Sequence, residues 1–326
     1  MERMSLAVVR QLDADHERGG IWYLSGHRDH VLSIAASSHG VFATCDAKGL
    51  GLLWKHDTSH SNSDPSHVSR ISSEGPAIVA ACFPSSTRLC TAQGNGRVGV
   101  WDIEASTEVQ SLSRLPSRGK SVNWPVINAL SAWESDLVAY GGDDGYLVLS
   151  SLAVRNPVVS VNLRVPITSV AAAATSLLVG DVLGNIRCFD TRTFKSLYCF
   201  QGHRGVVTSV SVKEDASLAV SYGMDDSLAL WNALPFSLTT EDRLIHRGEF
   251  HQGDTKTLLR CDWATSGAAL VPVSDGRVVY LSAPTLDGIR TILPGRHRRE
   301  PAQCAAFIGD GYAVSSAETE VILQRI

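Results

Sequence analysis

The sequence predicts an all-β chain built as a seven-bladed β-propeller, its ring closed by an N-terminal strand that joins the last blade. Three observations carry this. Strand-ending positions recur at Trp54, Trp101, Ser150, Phe189, Trp231, Leu281 and Gln324, with separations of 47, 49, 39, 42, 50 and 43 residues. Such a near-regular period is how a chain repeats one supersecondary unit. Between these positions, short runs alternate apolar and polar residues and are bounded by Gly, Asp and Asn turns, the period of half-buried antiparallel strands. Helical periodicity is missing, and seven units of about 45 residues use nearly all of the 326 available. No room is left for a separate catalytic domain.

Taken in order, residues 1–20 read as an arm ending at Gly19-Gly20, and residues 21–326 as the propeller. Ile21–Leu24 read as a strand that should pair with Val321-Ile322-Leu323, because closing a ring removes open sheet edges. The repeats then begin near Gly26-His27, Ala77, Val126, Ile167, Gly202, Leu258 and Gln303. Two connections look long. His56–Arg70 is rich in Ser and His and reads as a disordered or surface excursion. Ser113–Trp124 is basic, and its Trp124 is either a candidate partner anchor, aromatic anchors being common in interfaces, or a core Trp at a strand start.

The fifth repeat, Gly202–Asn232, shows the pattern best. It holds a Gly-His pair, two Val/Ser/Leu runs around the turn Lys213-Glu214-Asp215, a second turn at Met224-Asp225-Asp226, and a strand ending in Trp231-Asn232. The spacing resembles a WD repeat. That resemblance implies a hydrogen-bonded relay inside the blade made of His203, Ser221, Asp225 and Trp231. The chemistry is sound: a buried carboxylate and a buried indole N–H are each costly without a partner. Elsewhere the pattern is eroded. The turn Asp recurs as Asp144 and Asp275, but Lys48, Asn95, Leu183 and Glu318 hold the other equivalents. The full relay is therefore assigned to the fifth repeat, most blades relying instead on apolar packing between neighbouring sheets, and His297 in Pro294-Gly295-Arg296-His297 reads as a displaced third Gly-His.

Composition narrows function. A net charge of −4, from 29 basic and 33 acidic residues, argues against binding driven by phosphate neutralisation. Seven cysteines without a C-x-x-C read as reduced, mostly buried thiols. No run reaches transmembrane length, and the N-terminus is too charged for a secretory signal, so a soluble intracellular protein is expected. Gly94–Gly99 matches G-x-G-x-x-G but leads into Val100-Trp101, a strand ending, and reads as a hairpin turn rather than a dinucleotide site. Asp143-Asp144 and Asp225-Asp226 read as turn residues. His56, His60 and His67 read as solvent-exposed, their spacing irregular for a metal. Arg296–Arg299 is the most basic run, either a solvated loop or a contact for an acidic face or RNA backbone. Catalytic, metal and cofactor sites are all expected to be absent.

The C-terminal half is similar to a narrower family. Gly223–Phe236, Thr257–Trp263 and Ile292–Gly295 resemble the forty-kilodalton WD-repeat subunit of the U5 small nuclear ribonucleoprotein, through Met224, Asp225, Trp231, Pro235, Phe236, Leu258, Leu259, Arg260, Cys261 and Trp263. The resemblance implies a non-enzymatic nuclear scaffold in pre-mRNA splicing, docked on that particle's large central protein with little direct RNA contact. Arg260, Met224, Asp143, Asn128 and His30 are the expected docking residues on the narrower face. The other reading is a WD-repeat substrate receptor of a ubiquitin ligase, or a general signalling adaptor.

Overall fold

The computed structural model describes residues 8–11, 20–37, 39–57, 63–72, 75–112, 125–133, 136–154, 157–235, 239–249, 258–264, 267–273, 275–281, 290–293, 297, 300–309 and 311–326. Seven antiparallel sheets follow one another along the chain. Blade 1 is Val31–Ala36, Val41–Asp46, Leu50–Lys55 and Ser66–Ser72; blade 2 is Ile78–Ser85, Arg88–Gln93, Val98–Asp102 and Thr107–Leu112. Blade 3 is Ile127–Trp133, Leu137–Gly142, Tyr146–Ser151 and Pro157–Asn162; blade 4 is Ile167–Ala173, Ser176–Asp181, Asn185–Asp190 and Ser196–Gln201. Blade 5 is Val207–Val212, Leu218–Gly223, Ser227–Asn232 and Leu244–Glu249; blade 6 is Asp262–Trp263, Ala269–Pro272, Val278–Leu281 and Arg290–Ile292. Blade 7 combines Cys304–Ile308, Tyr312–Ala317 and Glu320–Arg325 with Ile21–Ser25.

The closing strand pairs as the apolar pattern predicts: Trp22 opposes Leu323, Tyr23 opposes Ile322 and Leu24 opposes Val321. Within the stretch read as an arm, Val8–Gln11 add a fifth strand outside Ile21–Ser25. The rest of that stretch up to Gly19 lies outside the described residues.

Each interface between neighbouring blades holds its own apolar cluster. The one between blades 4 and 5 gathers Ile186, Phe200, Val207 and Trp231; the closing one gathers Trp22, Phe42, Trp54 and Leu323. A radial sheet is buried on both faces, so its middle strands read as continuous apolar runs: Ser176–Asp181 is buried at every position. Outermost strands cover one side only and tolerate polar residues.

That physics explains the main departure from expectation. The excursion at His56–Arg70 contains the outer strand Ser66–Ser72, paired to Leu50–Lys55. His56 is not solvent-exposed either. It is buried between Trp22 and Tyr312, with ring centroids 5.2 and 4.2 Å away, and burial lowers its pKa. Asp64 accepts the Trp22 indole N–H at 2.9 Å, so this connection clasps the closing strand. His67 sets its ring edge-on to Trp54 at 5.4 Å; His60 lies outside the described residues.

A second set of bonds runs round the axis. Innermost strands of neighbouring blades share side chain-to-backbone hydrogen bonds: Ala81 N–H donates to Ser33 Oγ at 3.0 Å, Ala172 to Ser131 at 3.1 Å, Val210 to Ser169 at 2.7 Å and Cys261 to Ser209 at 3.0 Å. Between blades 6 and 7 a carboxylate takes the part of Ser, and Phe307 N–H donates to Asp262 Oδ2 at 2.9 Å. These stitches join the innermost strands of neighbouring sheets.

Blade 6 departs most from the pattern. Its innermost strand is two residues long, and Arg260 forms a parallel bridge to Cys304 of blade 7. Among the described residues the one helix is a single turn, Thr240–Arg243. Its buried Arg243 lies 3.6 Å above the Tyr198 ring and donates to the carbonyls of Asn232 and Leu234.

Candidate partner-docking face

The fifth blade brings the four relay residues together. His203 Nε2 meets Ser221 Oγ at 2.7 Å, His203 Nδ1 meets Asp225 Oδ1 at 3.0 Å, and Trp231 Nε1–H donates to Ser221 Oγ at 2.7 Å. Asp225 also accepts the backbone N–H of Arg204 at 2.8 Å and the Ser227 hydroxyl at 2.8 Å. Burial by itself would raise the Asp225 carboxyl. The bonds from His203, Arg204 and Ser227 outweigh it and hold the group well below the usual carboxylate range. The relay consumes the donors and acceptors of its members, which is structural use rather than acid–base chemistry.

Blade 1 carries a full relay as well, and blade 7 a relay without the Trp. In blade 1, His27 contacts Asp46 at 3.0 Å and Thr44 at 2.7 Å, and Trp54 Nε1–H donates to Thr44 at 2.9 Å. The carboxylate comes from Asp46, the last strand residue, rather than from position 48. In blade 7, His297 contacts Ser315 at 3.0 Å and Glu320 at 3.1 Å. Its carboxylate again sits off the expected position, at Glu320 rather than Glu318. His297 is fully buried, so this member of the basic run belongs to the blade interior; Arg296, Arg298 and Arg299 lie outside the described residues. Blade 2 keeps the Trp101–Thr91 bond at 2.9 Å. Blade 3 exchanges the partners, with Tyr140 and Ser150 hydroxyls 3.2 Å apart. Blades 4 and 6 place Phe189 and Leu281 at the Trp position, both packed in apolar clusters.

Antiparallel order puts the starts of the innermost strands and the turns between second and third strands at one end of the ring. His30, Asn128, Asp143, Met224 and Arg260 all lie there. Three of them are bonded together. Arg260 Nη2–H donates to the Asn128 carbonyl at 2.9 Å, and Asn128 Nδ2–H donates to Asp143 Oδ1 at 2.7 Å and to the Ile167 carbonyl at 3.0 Å. The chain of bonds links blades 6, 3 and 4 across the mouth of the central channel. The channel is a cavity of about 360 Å³ walled by the innermost strands of all seven blades. His30 is exposed and its carbonyl accepts Ala47 N–H at 2.9 Å; Met224 is half-buried in its turn, its N–H bonded to the Val206 carbonyl at 2.9 Å. Trp124 lies outside the described residues.

The same end carries exposed apolar side chains that were not among the expected docking residues. Leu183 is 62% exposed, Leu258 56% and Tyr146 40%. Leu183 stands where the turn Asp was sought, and its weight as a surface residue shows only once the turn is placed. Around the polar bridge, these side chains make a face with exposed apolar groups.

Fold and relay together define the class: an all-β, seven-bladed β-propeller whose blades 1 and 5 carry the hydrogen-bonded relay of a WD repeat. Residues 194–232 match the family described as "WD domain, G-beta repeat". Over 293 residues the chain is 26% identical to pre-mRNA-splicing factor cwf17 of Schizosaccharomyces pombe, covering 87% of this chain and 75% of that protein. It is 24% identical to eukaryotic translation initiation factor 3 subunit I of Culex quinquefasciatus over 161 residues, 46% of this chain and 48% of that one. With human Striatin-4 the identity is 26% over 243 residues, 69% of this chain and 32% of that protein.

Proposed function

We propose that this chain is a nuclear, non-enzymatic scaffold of pre-mRNA splicing, a component of the U5 small nuclear ribonucleoprotein that docks on the particle's large central protein. The observation that carries the reading is the likeness to a pre-mRNA-splicing factor over 87% of the chain, which spans the ring rather than one repeat. The docking face is the end bearing Arg260, Asn128, Asp143, Met224 and His30, with Leu183, Leu258 and Tyr146 as anchors. A rigid polar base under exposed apolar groups suits stable association, which ordinarily buries about 1,600 Å². Residues 1–20 serve as an arm tied to the propeller of residues 21–326 through the strand Val8–Gln11.

Purification of tagged protein from nuclear extract tests this. The expected eluate contains U5 small nuclear RNA and the particle's large protein, and both fall away with the double substitution Leu183→Asp, Leu258→Asp. Retention of both by that variant, and by Arg260→Ala and Met224→Ala, would remove the assigned face. Cullin components without splicing proteins would favour a ubiquitin-ligase receptor instead.

A further inference from the structure

Arg260 stands just ahead of the innermost strand of blade 6, and its guanidinium reaches across the channel mouth to blade 3. Nη2–H donates to the Asn128 carbonyl at 2.9 Å, the one polar contact of this guanidinium among the described residues. Burial works against its charge, and no carboxylate of the described residues stands near enough to offset that. Asp143 is held instead by Asn128 Nδ2–H at 2.7 Å, and Asp262 by Phe307 N–H at 2.9 Å. The raised Asp262 carboxyl agrees, because a guanidinium beside it would lower it. A cation placed this way is costly until a counter-charge joins it.

The cavity beneath points the same way. Arg260 is the one cationic residue among those that line it. Four of the lining serines, Ser33, Ser131, Ser169 and Ser209, already accept N–H groups of neighbouring strands. Exposed apolar groups stand on both sides of the mouth: Tyr146 and Leu183 on blades 3 and 4, and Leu258 ahead of blade 6. A partner chain that reaches both sides crosses over Arg260.

We propose that the mouth of the central channel is a carboxylate-binding site, in which the Arg260 guanidinium receives an Asp or Glu side chain of the partner protein docked on this face. A guanidinium meets a planar carboxylate with paired N–H bonds. A phosphate dianion calls for more positive charge than one guanidinium, and Asp143 and Asp262 at the same end would oppose it. The occupant is a side chain rather than a chain terminus, because the partner chain continues past the mouth to Leu258. The proposal rests on the reading of this end as the docking face, not on the identity of the splicing particle.

The test uses tagged full-length protein in nuclear extract. Arg260→Lys puts an amine at the mouth, and a water-soluble carbodiimide joins that amine to a carboxylate seated beside it, mapped by mass spectrometry. One Asp or Glu of a partner protein is the expected product. A peptide spanning that residue should bind Arg260→Met with a Kd at least about thirtyfold above the parent's, through faster dissociation, as loss of one member of a desolvated charge pair requires. Arg277→Met should leave that Kd unchanged, because Arg277 at the same end is already paired with Asp275. The Tm of Arg260→Met should equal or exceed the parent's, since a buried charge without a counter-ion is removed. Coupling confined to this chain, or made to a chain terminus, overturns the proposal. So does a Kd for Arg260→Met within about threefold of the parent's; joined to a fall in Tm, that result makes Arg260 a structural cross-bar. Loss of the partner on ribonuclease treatment overturns it in favour of an RNA occupant. Release of the partner by the double substitution Leu183→Asp, Leu258→Asp but not by Arg260→Met leaves the docking face standing without this site; retention by both variants removes both.

Discussion

Replacing Ser221 with Ala removes a single oxygen that two buried groups depend on. The hydroxyl is fully buried, 2.7 Å from His203 Nε2 and 2.7 Å from Trp231 Nε1. Without it an indole N–H and an imidazole nitrogen are left unpaired inside the blade. Each unsatisfied buried group costs about 1–3 kcal/mol, so a loss of about 2–6 kcal/mol is expected. Unfolding entropy is near 2 cal/mol/K per residue, which for a chain of this size converts that loss to a fall in Tm of roughly 3–9 °C. Ser221→Thr provides the control. Thr44 makes the same two bonds in blade 1, at 2.7 and 2.9 Å, so Thr at 221 should stay within about 1 kcal/mol of the parent. Equilibrium urea denaturation followed by tryptophan fluorescence reads both variants. If Ser221→Ala lies within about 0.5 kcal/mol of the parent, the relay is not what pins this blade.

Two further outcomes follow from side chains the repeat pattern misplaces. Asp46→Ala should cost about 1–3 kcal/mol, since Asp46 holds His27 and accepts the N–H groups of Lys48 and Leu50. Lys48→Ala should be nearly silent in the same denaturation assay, because its side chain is 66% exposed; equal effects would refute the placement of the carboxylate. Burial raises the Asp262 carboxyl to about 6, against partial offset from the N–H groups of Phe307 and Trp263. A carboxyl raised in the folded state prefers its proton there, so it withdraws stability as pH climbs from the ordinary value near 4 through about 6. Asp262→Asn, which keeps an acceptor for Phe307, should therefore gain on the parent from pH 4 to pH 7 by about 2 kcal/mol. A difference that does not change with pH would exclude a raised carboxyl.

Part of the polar bridge at the turn end of the ring was legible in the chain. Arg260, Asn128 and Asp143 were picked from positions near blade ends, and the structure bonds them together although Arg260 and Asn128 stand 132 residues apart. Nothing in a linear pattern shows that bond, because it crosses the channel. The relays of blades 1 and 7 were missed for a geometric reason. A histidine inside a blade can be met by a carboxylate from Asp46, from Asp225 or from Glu320, each at a different offset from its strand end. A fixed spacing finds one of the three.

By itself the sequence determined the number of blades, their order, and the closing strand. These follow from short-range facts: strand alternation, turn residues, and a period near 45 residues. The tertiary structure alone decided what lies between repeats. Outer strands such as Ser66–Ser72 read as loop because half of such a strand faces water and no apolar pattern marks it. The stitches from Ser33, Ser131, Ser169, Ser209 and Asp262 round the axis depend on where neighbouring sheets come to rest. A serine in a strand looks the same in sequence whether it faces solvent or the next blade, and only the packing of one sheet against another gives it a partner.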